Sequence, residues 1–150
     1  MEQQILNHIT LKIAVTEQER NLAIALLEQH HLPTSDLDED KLLYLLVEDD
    51  KLLGTAGLEI FEDCALLRSV SVAKGEQGKG YGKIINTAIE KYAMESGIEC
   101  MYLLTTTAKP FFDKLGYCAI ERDAAPGPVK QSAEFLSLCP SSAVLMKKRI

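Results

Sequence analysis

The chain has 150 residues, 47% of them hydrophobic and 25% charged, with a net charge of −6. This is an ordinary globular mixture and sets the expectation of one domain over residues 1–150. The acidic balance argues against a nucleic-acid partner, no apolar run reaches the ~20 residues of a membrane helix, and the N-terminus lacks a basic-then-apolar leader, so a cytoplasmic location away from membranes is expected.

Residues 9–15, ITLKIAV, are apolar and β-branched and predict an opening strand. Thr16 with Glu19 three residues on is a capping-box signature, and it predicts a helix over about 17–30. HHLPTSDLDED at 30–40 is polar and broken by proline, hence a loop. KLLYLLVE and KLLGTAGLEIF flank Asp49-Asp50 and read as a hairpin with an acidic turn. CALLRSVSVA, 64–73, is a further strand. In the segment after it, Ile84, Ile85, Ala88, Ile89, Tyr92 and Ala93 share one helical stripe, with Gly97 placed as a C-terminal stop. ECMYLLT (99–105) is a strand, AKPFFDKLG (108–116) a short helix, and YCAIER and SAVLMKK closing strands. The order β-α-β-β-β-α-β-α-β-β is α+β with a mixed sheet. The four cysteines are scattered, so no metal site is expected. They read as reduced and mostly buried, with Cys139 the least core-like. KKR at 147–149 reads as a solvated chain end.

GEQGKGYGK at 75–83 lies between a strand and a helix, the usual setting for phosphate held by free backbone N–H groups. It fails as a P-loop, because Tyr81 and Gly82 stand where lysine and serine or threonine belong. It fails as a dinucleotide fingerprint, because the third glycine would fall on Lys83. What fits is Q-x-x-G-x-G, formed by Gln77, Gly80 and Gly82.

This pattern resembles the pyrophosphate loop of the GCN5-related N-acetyltransferase (GNAT) superfamily. The segment YLLTTTAKPFFDKLGYCAIER is similar to that superfamily's later motif. LLTTTA followed by FF, together with VKQS and SSAVLMKK, is similar to the acetyltransferase domain of N-acetylglutamate synthases, and ALLRS, TTTA and LCPSSA make the chain closer still to small acetyltransferases of arsenic-resistance operons. The resemblance covers about residues 40–150. It implies a central sheet of six to seven strands with splayed middle strands and flanking helices, acetyl-CoA as co-substrate, and acetyl transfer to a small-molecule amine, an amino acid or its analogue. Homodimers are common in the superfamily.

The resemblance also implies roles for residues. The main chain around Gln77, Gly78, Lys79, Gly80, Tyr81, Gly82 and Lys83 would hold pyrophosphate. Val70, Ser71 and Val72 would meet the pantetheine arm, one of their N–H groups polarising the thioester carbonyl. Thr106, Phe111 and Phe112 complete the cofactor wall. Glu59 is the first candidate for the base that takes the ammonium proton. Arg68 and Ser69 follow it, Arg68 either holding a substrate carboxylate or pairing with Glu59. The superfamily's usual tyrosine acid is replaced by Phe112, which leaves Tyr102, Tyr117, Thr106 or water for that role, and leaves a non-catalytic acetyl-CoA sensor as the alternative. Substrate selection falls to the 30–40 loop and the 122–142 segment, with Lys130, Gln131, Ser132 and Glu134 as polar candidates.

Overall fold

A computed structural model describes residues 4–6, 8–37 and 41–150. Residues 38–40 of the polar loop, and 1–3 and 7 near the N-terminus, lie outside the described residues. The strands are β1 (Gln4–Leu6), β2 (Ile9–Ile13), β3 (Leu42–Glu48), β4 (Lys51–Phe61), β5 (Cys64–Val72), β6 (Cys100–Thr105), β7 (Cys118–Ile120) and β8 (Val144–Arg149). They form one sheet in the order β1-β2-β3-β4-β5-β6-β8-β7. Every neighbouring pair is antiparallel except β5 and β6. Seven of these strands are the expected ones, and the three-residue β1 is the eighth.

Three helices matter for the site: α1 (Glu17–Gln29), α2 (Tyr81–Glu95) and α3 (Lys109–Lys114). The expected capping box starts α1: Thr16 Oγ1 accepts from the Glu19 N–H, and Glu19 Oε1 accepts from the Thr16 N–H. These bonds, with Lys12 at 2.9 Å, hold the Glu19 carboxyl at a pKa of about 2.

Alternation along β3 decides which helix covers which face. Tyr44 and Leu46 join Ile85, Ile89 and Ala93 of α2 in one core. Leu43 and Leu45 join Ala23 and Leu27 of α1 in another, on the opposite face. A third cluster, on the α1 side, packs Leu66 and Tyr102 against Ala125 and Val129. That part of the 122–142 segment is not an open loop. It folds as a 3-10 turn (Arg122–Ala124), a short α-helix (Gly127–Lys130) and a π turn (Glu134–Leu138).

Two other expectations need correction. Only Cys64 is buried; Cys100 and Cys139 are partly covered and Cys118 is exposed. Cys118 lies on β7, an edge strand with one outer side unpaired. The basic run 147–149 is not a free end, because it belongs to β8, where Lys148 Nζ meets Glu90 Oε1 at 2.8 Å.

Two irregularities open the middle of the sheet. The parallel ladder between β5 and β6 has three pairs, Cys64 with Cys100, Ala65 with Met101 and Leu66 with Tyr102, and then the strands part. Against β4, the register jumps so that Ala56 faces two residues, Ser69 and Val70. This is a β-bulge, and Ser69 takes a left-handed conformation with φ of 58° to make it. Neither ladder gives Val70 a partner. The splay expected from the resemblance is therefore present, with a bulge at its apex.

Candidate active site

The first part of the site is made of main chain. Beyond β5, Ala73 N–H bonds to Leu53 O (2.8 Å) and Glu76 N–H to Ala73 O (3.0 Å), which turns the chain back toward α2. Glu76 Oε1 pairs with Lys51 Nζ at 2.8 Å and its Oε2 with Lys79 Nζ at 3.3 Å, pinning the turn from both sides. Gln77 donates to Val72 O at 3.3 Å. Gly80 then caps α2 with φ of 86°, a conformation that costs an L-residue about 1–2 kcal/mol. No side chain caps the helix and no acid stands in its first turn. The first intrahelical bond is Ile84 N–H to Gly80 O, so the N–H groups of Tyr81, Gly82 and Lys83 point outward. Phe111 closes over them: a Cβ at Gly82 would lie 3.0 Å from its Cζ.

These groups border a cleft of about 690 Å³. It takes in Val70, Ser71 and Val72, the loop residues Gln77, Gly78, Gly80, Tyr81, Gly82 and Lys83, and Phe111 and Phe112. Two expected members stand elsewhere. Lys79 is drawn to Glu76, and Thr106 lies in a neighbouring cavity. The end of α1 contributes His30 and Leu32, which sequence reasoning passed over. His30 Nε2 is buried with no hydrogen-bond partner among the described residues. The donors suit a pyrophosphate: several N–H groups at a helix N-terminus, with Lys83 beside them.

The second part is made of side chains. A cavity of about 260 Å³ adjoins the cleft and shares Leu32, Val70, Thr107, Ala108 and Phe112 with it. Arg68 and Ser69 line it, with Thr105, Thr106 and Thr107, and with Glu134 and Cys139.

Arg68 organises this region. Its side chain is 0% exposed, and its stem crosses Gly57, where a Cβ would lie 3.1 Å from Arg68 Cγ. Nε donates to Ser69 Oγ at 3.2 Å. Nη1 donates to Glu59 Oε2 at 2.9 Å and to Asp36 Oδ2. Nη2 donates to Asp36 Oδ1 at 2.6 Å and to Pro33 O at 3.5 Å. All five N–H groups of the guanidinium are thereby taken. Carboxylates of the chain itself thus fill the guanidinium. The pairing with Glu59 is present, and Glu59 borders neither cavity.

Glu134 Oε2 stands 3.4 Å from Arg68 Nη2 as a third carboxylate. Burial pushes its pKa up to about 7; the Arg68 charge opposes this, and the charges of Asp36 and Glu59 add to it. Asp36 goes the other way. Burial would raise it, but the hydrogen bonds and charge of Arg68 hold it below its ordinary value. Burial also raises the Cys139 thiol, to about 11. Of the four polar candidates in the 122–142 segment, Glu134 alone borders either cavity. Ser132 instead locks its own turn, donating to Val129 O at 2.6 Å. Asp36 gave no signal in sequence, being one acid in an acidic loop.

A cleft built on a glycine loop thus joins a small cavity at a bulge in a splayed sheet. The model of the acetyltransferase (GNAT) family matches residues 7–117. The chain belongs to that family. No curated protein matches the sequence significantly. In fold, the GNAT chain is similar to N-acetylglutamate synthase from Neisseria gonorrhoeae, solved with coenzyme A and L-arginine (TM-score 0.80, 19% identity, 97% of this chain and 34% of that one). It thus spans about a third of that synthase's length. A Mycobacterium tuberculosis protein solved with CoA is similar over 93% of this chain and 98% of its own (TM-score 0.77, 19% identity). Tetrahymena GCN5 is similar over 93% and 95% (TM-score 0.73, 18% identity). At these identities the likeness concerns the fold. Among the described residues, no helix is long and apolar enough to cross a membrane, and no cluster of His, Cys, Asp and Glu could hold a metal.

Proposed function

We propose that the chain transfers the acetyl group of acetyl-CoA to the amino group of a small molecule. The observation that carries this reading is the meeting of cleft and small cavity at the Ser69–Val70 bulge. The pyrophosphate lies on the Gln77–Lys83 turn and the N-terminus of α2. The pantetheine arm runs along Val70, Ser71 and Val72, and the unpaired main chain at Val70 polarises the thioester carbonyl. Phe111 and Phe112 close the cofactor side and Thr106 the acceptor side. The amine enters the 260 Å³ cavity, which lies below the usual range of drug-sized pockets and suits a small acceptor. Ser69 and Arg68 form its wall, and Glu59 positions Arg68. The likeness to N-acetylglutamate synthase favours an amino acid or amino-acid analogue. Its carboxylate falls to the hydroxyls of Thr106 and Thr107, because Arg68 has no N–H left. Phe112 offers no proton to the leaving thiolate, and a thiol of pKa near 8.5 departs without one.

Thermal melting with acetyl-CoA, CoA, ATP and NADH tests the cleft. A ligand at ~100 times its Kd adds ~2.7 kcal/mol, which raises Tm by roughly 5–10 °C in a chain of this size. A rise with the two CoA species alone is expected. A rise with ATP or NADH alone would overturn the reading. Amine-dependent release of CoA then separates the transferase from a non-catalytic acetyl-CoA sensor.

A further inference from the structure

We propose that Glu134, on the π turn between β7 and β8, receives the acceptor's ammonium and takes its proton, in place of Glu59 on β4. The inference rests on the proposed transfer to a small amine.

Three carboxylates surround Arg68, and their geometry is unequal. Asp36 takes two of the guanidinium N–H bonds and Glu59 takes one. Each of those carboxylates is committed to a charge-assisted bond, and neither borders the acceptor cavity. Glu134 borders it, 4% exposed, and stands 3.4 Å from a nitrogen whose two protons go to Asp36 and Pro33. No hydrogen bond to the Glu134 carboxylate is present among the described residues. It is thus a nearly sealed acceptor with uncommitted lone pairs, bordering the same small cavity as the Ser69–Val70 bulge. An alkylammonium is the complementary ligand, since it carries N–H donors and one positive charge.

The proton balance is simple. One ammonium proton passes to a Glu134 oxygen. The free amine nitrogen attacks the thioester carbon, the N–C bond forms and the C–S bond breaks. The remaining nitrogen proton lost on amide formation goes to the leaving thiolate, and Glu134 later returns its own to solvent. Ionised near neutral pH yet more basic than an ordinary carboxylate, the group is matched to this task. The charged and titratable groups around it are Arg68 on β5, Glu59 on β4, Asp36 and His31 after α1, Cys139 on its own segment, and Arg122, whose guanidinium lies 4.5 Å from the Phe135 ring centre.

The test uses the full chain, acetyl-CoA, and a panel of small primary amines and amino acids, reading CoA release. Glu134→Gln is expected to bind acetyl-CoA with unchanged Kd. Its kcat/KM for the amine should fall by about 100-fold or more, and the acidic limb of the pH profile near pH 7 should disappear. A purely structural role leaves that limb in place. Turnover within about threefold of wild type, or an acidic limb that persists, overturns the proposal. If Glu134→Gln does not fold, Glu134→Asp decides: it keeps the charge beside Arg68 and withdraws the carboxylate by one methylene. Its kcat should fall at unchanged KM for acetyl-CoA, and an unchanged kcat overturns the proposal. A wild-type chain that binds acetyl-CoA but acetylates no amine removes the proposed reaction and this inference together. Amine turnover that survives Glu134→Gln removes the inference alone.

Discussion

The proposed cofactor cleft and the proposed acceptor cavity share lining residues and are built on opposite plans. The cleft is main chain: a turn pinned by Glu76 at its base, three outward N–H groups at the start of α2, and few side chains that matter for polarity. The acceptor side is a sealed charge cluster in which one guanidinium faces three carboxylates. Main chain recognises a pyrophosphate without regard to most side chains, so it suits a ligand common to a family. A buried charge cluster depends on every member, so it suits a choice particular to one chain.

Arg68→Met tests the contrast most severely. Removing one partner of a buried ionic cluster costs about 3–5 kcal/mol, and here three carboxylates lose their common cation. Denaturant unfolding should show that loss near pH 7, shrinking as the pH falls. Glu134, with its pKa raised, binds its proton more tightly in the folded state. Its contribution to stability is fully present below the ordinary value of 4.5 and is lost as the pH rises through about 7. Asp36, with its pKa lowered by Arg68, contributes above its ordinary range and loses that contribution on acidification. The variant deepens the first dependence and abolishes the second. A loss that does not vary with pH would refute the charge account.

The main-chain region should respond differently. Gly80→Val forces a β-branched residue to φ of 86°, with nothing within 4 Å of its Cβ, so the cost is conformational. We expect about 1–2 kcal/mol of stability lost, and acetyl-CoA affinity weakened by about tenfold as the N–H groups leave their line. Calorimetric titration checks this. Unchanged affinity would remove the loop from the binding site. Thr16→Ala is the calibration. Losing the cap of α1 should cost about 1 kcal/mol and leave acetyl-CoA affinity alone. If affinity fell as well, cleft and helix would be coupled through His30 and Leu32, and the division into two plans would be too sharp.

The sequence was most legible where the signal is local. The Thr16–Glu19 box, the hairpin turn at Asp49-Asp50 and the glycine turn each sit within a few residues of what they specify. The Arg68 cluster was not legible, because Asp36 is 32 residues away in sequence and Glu134 further still. No periodicity records which carboxylates will meet across a fold. Glu134 stood out as a polar residue in an irregular stretch, but nothing local in the sequence marks it as buried. Glu59 looked like the base because strand alternation turns it away from Leu58. It does turn, onto Arg68 rather than into a cavity.

The short ladder between β5 and β6 has a consequence for how the molecule holds together. Strands β1 to β5 pair in chain order, and β6, β8 and β7 pair among themselves; among the described residues, three on each side form the only ladder joining the two sets. A ligand lodged between the parted strands would act as a strut across the seam between the two sets. Amide protons of β6 and β8 should exchange by opening of that seam and slow when acetyl-CoA is bound, while those of β3 and β4 wait for the whole molecule to unfold.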